Sequence, residues 1–181
     1  VPMNDFFFLC DGDHRDQHCL DRRQRQMCKE TDGNLDKLRN EAPGSTGEGT
    51  AAGLQSVTGI HGQAIRFDGD HGANFPNLLN VDRWDTFSLD FWIRDTATSA
   101  QPVVVLQHTF GTDVGYNGFD LMLQNGILEA RLYRVWPGNG IGVQSQTAIA
   151  PNKWQHITVT YDGSSSAAGL RLFLDGKALP T

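Results

Sequence analysis

A chain of 181 residues with 15 Lys and Arg against 21 Asp and Glu carries a net charge near -6 and a pI of about 5.4. That balance argues against nucleic acid or an anionic membrane surface as partner, because both demand a cationic face. The hydrophobic share of 39% and the 20 glycines suit many short strands joined by turns better than a helical bundle, and no apolar run approaches the ~18 residues of a membrane span.

The chain opens on Val1 rather than Met, so an upstream part is expected. Phe6-Phe-Phe-Leu9 lacks the basic flank and small-residue cleavage site of a signal peptide; Phe6 to Cys10 followed by Asp11-Gly12 reads as a strand and a turn. Cys10, Cys19 and Cys28 all fall in this first segment. Their odd number permits one intramolecular disulfide at most and leaves the redox compartment open. Cys10, His14, His18 and Cys19 offer four ligands close together, but Cys-x3-His-x3-His-Cys is not a zinc spacing, and a solvated segment is the plainer reading. Leu20 to Leu38 holds good helix formers broken near Asp32-Gly33, which predicts one or two short helices ending before Pro43. Residues 44–53, Gly-Ser-Thr-Gly-Glu-Gly-Thr-Ala-Ala-Gly, read as a flexible loop. A charged, Cys-containing segment over 1–54 is thus set apart from a strand-rich region over 55–181.

Beyond Thr58 the period-2 patterning is clear. Gln63 to Phe67 runs into Asp68-Gly69, Phe87/Leu89/Phe91/Ile93 alternate with Ser88/Asp90/Trp92/Arg94, and Val103 to His108 starts β-branched. Phe119, Leu121 and Leu123 then share one face of a strand. Asn125-Gly126 supplies a type I′ turn, and Leu128, Ala130 and Leu132 return on the partner. A strand is expected around Gly142 to Ala148. Last come Trp154 to Tyr161 and Leu170 to Asp175, each closing on Asp-Gly, with Ile157, Val159 and Tyr161 facing one way and Leu170, Leu172 and Leu174 likewise. Thr181 falls soon after Asp175-Gly176, so the next strand is expected to be short or absent, leaving an exposed edge beside Leu170 to Asp175. Strands so regularly spaced, with no helical period between them, predict an all-β protein of antiparallel sheets stacked face to face.

Taken in order, Gly62-Gln-Ala-Ile-Arg-Phe-Asp-Gly69, Phe87-Ser-Leu-Asp-Phe-Trp-Ile-Arg94, Gly118-Phe-Asp-Leu-Met-Leu123 and Lys153 to Gly163 with Leu170 to Gly176 resemble the laminin-G-like, concanavalin A-like jelly-roll β-sandwich of the lectin and glucanase superfamily. The resemblance spans roughly residues 55–181. Phe6 to Asp13 resembles the family's opening strand, which would carry the domain to the N-terminus around a long insertion. The family continues past the last Asp-Gly with strands ending in Gly-X-Ile-Asp, so the C-terminal strands are expected to be missing. The resemblance is nearest to versions embedded in large multidomain bacterial proteins that also carry cytochrome-c-like domains and domains of unknown function. It therefore implies flanking domains and a secreted, periplasmic or envelope location. No Cys-x-x-Cys-His occurs, so no haem attaches to this chain.

The jelly roll hosts glucanases, lectins and adhesive modules alike, so chemistry has to be read from residues. The glucanase branch needs carboxylates spaced Glu-x-Asp-x-Glu on one strand to flank a glycosidic bond, and that spacing is absent. Glu129 stands alone among acids in its strand, and Arg131 two residues on is expected to pair with it. No Gly-x-Ser-x-Gly elbow occurs. His156, beside Trp154, is expected to pack or hydrogen-bond within the fold. The chain is therefore read as noncatalytic.

Two kinds of binding remain. Family members hold calcium with Asp side chains and loop carbonyls, which implies calcium at Asp68, Asp70 and Asn74, three hard oxygen donors in one Gly-rich loop; a plain Asp-Gly turn is the alternative. Sugars stack on aromatic faces flanked by planar polar groups, and Trp84, Trp92, Tyr116, Tyr133 and Trp136 stand near Arg94, Asn117, Gln124 and Arg134 in sequence. The ligand-binding set is Trp92, Arg94, Tyr133, Arg134 and Trp136, with Trp92, Arg94 and Tyr133 expected on one concave face and Trp136 in a loop. The alternative for Trp92 and Trp154 is that they fill the core or brace a sheet. The resulting expectation is a noncatalytic recognition module for glycan or protein; its rivals are a structural spacer between domains of a larger redox or hydrolytic protein and a degenerate glucanase.

Overall fold

The computed structural model describes residues 35–39, 48–60, 62–75, 83–96 and 100–181, together with the backbone of Phe6–Phe8. The expectations on Cys10, Cys19, Cys28, His14, His18 and the helices as far as Asn34 lie outside those residues.

Thirteen strands occur among the described residues. Four small ones, β1 (Phe6–Phe8), β2 (Leu38–Arg39), β3 (Glu48–Gly49) and β4 (Gln55–Thr58), precede β5 (Gln63–Phe67), β6 (Phe87–Ile93) and β7 (Val103–Thr112). Then follow β8 (Gly115–Gln124), β9 (Ile127–Trp136), β10 (Asn139–Gln144), β11 (Gln155–Tyr161), β12 (Leu170–Leu174) and β13 (Lys177–Ala178). Every pairing is antiparallel, in sheets ordered β10-β9-β8-β7, β13-β12-β11-β6, β1-β5-β4 and β2-β3.

The two four-stranded sheets pack face to face. Phe119, Leu121, Leu123, Leu128, Ala130 and Leu132 come from one; Phe91, Ile93, Ile157, Val159, Tyr161, Leu170 and Leu172 come from the other, and all lie in one buried cluster. These are the alternate positions predicted to share a face, because a strand sends successive side chains to opposite sides. Asn125 and Gly126, at φ 51° and 77°, form the expected turn, since a type I′ hairpin needs positive φ at both central residues. It sets Asp120 opposite Arg131 and Leu121 opposite Ala130. Tyr161 ties the core to its surroundings: its hydroxyl donates to the Arg83 carbonyl at 2.6 Å and accepts from the Ser165 N–H at 2.7 Å.

Three expectations need correction. Leu38, assigned to a helix, lies in β2 and is buried against Ala51 and Ile65; burying one leucine on β5 outweighs the few tenths of a kcal/mol that helix propensity offers per residue. Residues 48–53 are more than a loop, since Glu48–Gly49 form β3, Thr50 bridges Asn74 and Ala51 is buried. Trp136 closes β9 instead of sitting in a loop, and its peptide bond to Pro137 is cis. The strand after Asp175-Gly176 is short, as expected: β13 pairs only Phe173 with Ala178 and Leu174 with Lys177. At that edge the Leu179 N–H also donates to the Leu172 carbonyl at 2.8 Å.

Candidate functional site

On β8 and β9 the residues between the core positions point outward, and there a polar and aromatic cluster forms. Arg131 donates to both carboxylate oxygens of Asp120, Nε to Oδ1 at 2.7 Å and Nη2 to Oδ2 at 2.6 Å. The Tyr133 hydroxyl donates to the same Oδ2 at 3.2 Å. Asp120 and Tyr133 are each only 7% exposed, so this bidentate pair is shielded enough to count as part of the scaffold. Asp120 beside it raises the Arg131 pKa, and burial, reinforced by the Asp120 carboxylate, pushes the Tyr133 phenol up to about 12. Arg131 therefore stays a cation and Tyr133 a neutral donor at any physiological pH.

Trp136 completes the cluster. Its ring lies 5.7 Å from that of Tyr133, with the Arg131 guanidinium 4.9 Å from its centroid, a cation–π contact. It is nevertheless 40% exposed, and Tyr116, directly opposite on β8, is 56% exposed. An extra residue in β9 beside the Tyr116/Gly118 stretch brings Trp136, three residues after Tyr133, back to the same face. Gly118 (φ +136°) is required there, because a Cβ would strike the His108 carbonyl oxygen.

The expected meeting of Trp92, Arg94 and Tyr133 does not occur. Trp92 lies between the core residues Phe91 and Ile93 and so faces outward from the other sheet, packed with Trp154, Val57 and Ala64. The Arg94 guanidinium lies 5.2 Å from the Trp154 ring. These residues brace a sheet, one of the two readings open from sequence, on the opposite side of the sandwich from Tyr133. His156 packs within the fold as expected, its ring 5.1 Å from Trp92 and its Nε2 3.8 Å from Asp90. Arg134 is exposed and outside the cluster; only its carbonyl is engaged, accepting from Asn117 Nδ2 at 3.3 Å. The guanidinium beside Trp136 is that of Arg131, which pairs with Asp120 and not with Glu129. Trp84 is exposed elsewhere, stacked on Arg83, and Gln124 is bonded to the Ala100 carbonyl. Asp120 was missed from sequence, although counting back from the Asn125-Gly126 turn places it opposite Arg131.

Asp68, first of the calcium candidates, is occupied by its own loop. Its Oδ1 accepts from the N–H groups of Asp70 and His71 at 3.0 and 2.9 Å, and its Oδ2 meets His71 Nδ1 at 2.7 Å. The His71 side-chain and backbone bonds hold its pKa down at about 2. Asp68 therefore already accepts three bonds within the loop it shares with Asp70 and Asn74, and among the described residues no three Asp, Glu, His or Cys side chains converge. Inside the sandwich, the cavity between Phe87, Leu106, Phe119 and Val159 holds only about 10 Å³, too little for a sugar.

Two antiparallel sheets packed over a single core, with a polar and aromatic cluster on one outward face, define an all-β sandwich of the lectin and glucanase kind. A laminin G family model, described as the concanavalin A-like lectin/glucanases superfamily, matches residues 67–181, and the chain belongs to that superfamily. No curated protein matches the sequence.

Proposed function

We propose that the chain is a noncatalytic recognition module that binds carbohydrate through the outward face of the β7–β10 sheet. Trp136 carries the reading: a large ring 40% exposed, yet held in place by Tyr133 and Arg131. A fixed, half-exposed indole beside planar polar groups is what stacking against a sugar ring requires, because its orientation is set before the ligand arrives. Superfamily membership supports a binding role of this kind. The noncatalytic part rests on the sequence, in which no Glu-x-Asp-x-Glu spacing supplies the paired carboxylates that glycoside hydrolysis needs; Asp120 is itself engaged by Arg131 and Tyr133.

A glycan array probed with the intact domain and with Trp136→Ala tests the proposal. Retention of a glycan by the intact domain and its loss in the variant are expected; no retained glycan would sink the carbohydrate reading and leave a protein partner as the alternative. Release of reducing sugar from any polysaccharide would overturn the noncatalytic part. We further propose that the chain is part of a larger secreted or envelope-associated bacterial protein with cytochrome-c-like domains, a reading the family resemblance supports and the surrounding gene sequence would check. Calcium, if bound, would have to use Asp70, Asn74 and loop carbonyls while competing with the bonds that Asp68 accepts. An unchanged melting midpoint on adding chelator would remove calcium from the scheme.

A further inference from the structure

The sheet surface around the Arg131 and Tyr133 ridge narrows what such a site takes. On β10 the positions opposite Tyr133 and Arg131 are Gly140 and Gly142, and on β8 the position opposite Tyr133 is Gly118. Bare backbone therefore floors the sheet on both sides of Tyr133 and on the β10 side of Arg131, with Asp120 opposite Arg131 on β8. The bare floor on β10 is Gly140 and Gly142, and the strand that carries it runs from Asn139 to Gln144, about 17 Å at ~3.4 Å per residue, with both end residues exposed. Among the described residues it is an open strip with Trp136 and Tyr116 near one end, not a pocket that would enclose a terminal sugar.

Charge narrows the choice again. Strands β7 to β10 contain two cations, Arg131 and Arg134. The first is committed to Asp120, and the second falls at the irregularity of β9, outside the regular ladder on either side. Against them stand Asp120 and Glu129, and the whole chain carries -6. A sulfated or uronate-rich chain would meet no surplus of positive charge here.

We infer, resting on the carbohydrate reading above, that the ligand is an uncharged polysaccharide held by an internal run of sugar rings lying along β10. Affinities of the intact domain for neutral polysaccharides, for their free monosaccharides as competitors, and for sulfated and uronate polymers test this. A neutral polymer should bind with a Kd that moves less than about twofold as ionic strength rises tenfold, because no ion pair is screened. Its monosaccharide should compete at least ~100-fold less well, since it covers a small part of the strip. Gly142→Gln should weaken polymer binding about tenfold while lowering the melting midpoint by no more than about 5 °C, since the added Cβ meets the flexible Arg131 side chain at 3.3 Å and the Ala130 carbonyl oxygen at 3.2 Å. Preference for a sulfated or uronate polymer with salt-sensitive affinity, or competition by the monosaccharide equal to that of the polymer, would overturn the inference while leaving carbohydrate binding intact. Binding to none of the three classes would overturn the carbohydrate reading itself.

Discussion

On the β6 and β11 side of the sandwich, Trp92 and Trp154 pack with Val57 and Ala64, and Ala64 is fully buried beneath them. On the β8 and β9 side, Trp136 has glycine and polar neighbours, and it remains 40% exposed although Tyr133 and Arg131 hold it. Both rings sit on outward faces of the same two-sheet scaffold, so the difference comes from what the neighbouring strands supply. β4 and β5 bring apolar side chains against Trp92, and its exposure is consumed by packing. β10 brings Gly140 and Gly142 beside Tyr133 and Arg131, and the surface around Trp136 stays open. An outward aromatic is therefore a bracing element or a ligand platform according to the side chains of strands distant in sequence.

Four substitutions test this contrast. Asp120→Ala should have the largest effect, about 3 kcal/mol of stability in urea unfolding, because it strands a largely buried guanidinium; no loss would mean that the polar cluster is not part of the scaffold. Trp92→Ala should cost about 2–3 kcal/mol by removing the ring that seals Ala64, with glycan binding retained. Loss of binding without loss of stability would reverse the roles of the two faces. Tyr161→Phe, in the core that both faces share, should cost about 1–2 kcal/mol by leaving the Arg83 carbonyl and the Ser165 N–H without their partner. It should leave ligand affinity alone. Trp136→Ala should change stability by less than about 1 kcal/mol while abolishing glycan retention, the inverse of the Trp92 result.

The smallest effect concerns pH, at a site on neither face. Asp68 titrates at about 2 in the folded chain against an ordinary 3.8, so the unfolded state takes up the proton first. Its stabilising contribution is complete above about pH 4 and disappears as pH falls through about 2. Asp68→Asn should flatten that acid limb, and an NMR titration of the Asp68 carboxyl with its midpoint near 3.8 would show that the loop bonds do not hold it in solution.

Much of the fold was legible because β patterning is local. Gln63 to Phe67 is β5 residue for residue, and the core faces of β6, β8, β9, β11 and β12 follow the predicted alternation. The errors fall where local preference met tertiary contact. Leu38 has good helix-forming neighbours yet pairs in β2 because Ile65 and Ala51 bury it. The glycine-rich stretch near Gly49 looked mobile yet is pinned by the Thr50 and Asn74 bridge. The site was half legible. Tyr133 and Trp136 were singled out for their chemistry, whereas Arg94 and Trp92 were grouped with them although they belong to the opposite sheet.

What the sequence by itself determined is the core strands β5, β6, β8, β9, β11 and β12, the inward side of most of them and the register of the Asn125-Gly126 hairpin, since period-2 burial and positive-φ turns act over a few residues. Which outward residues would meet was decided only in the tertiary structure. The strand order, the added residue in β9 that turns Trp136 back beside Tyr133, and the glycines of β10 each depend on how strands lie across the sheet. Asp120 and Arg131 are far weaker as isolated charges in water than as a bidentate pair shielded on a packed sheet, and that shielding exists only once β8 and β9 are in place.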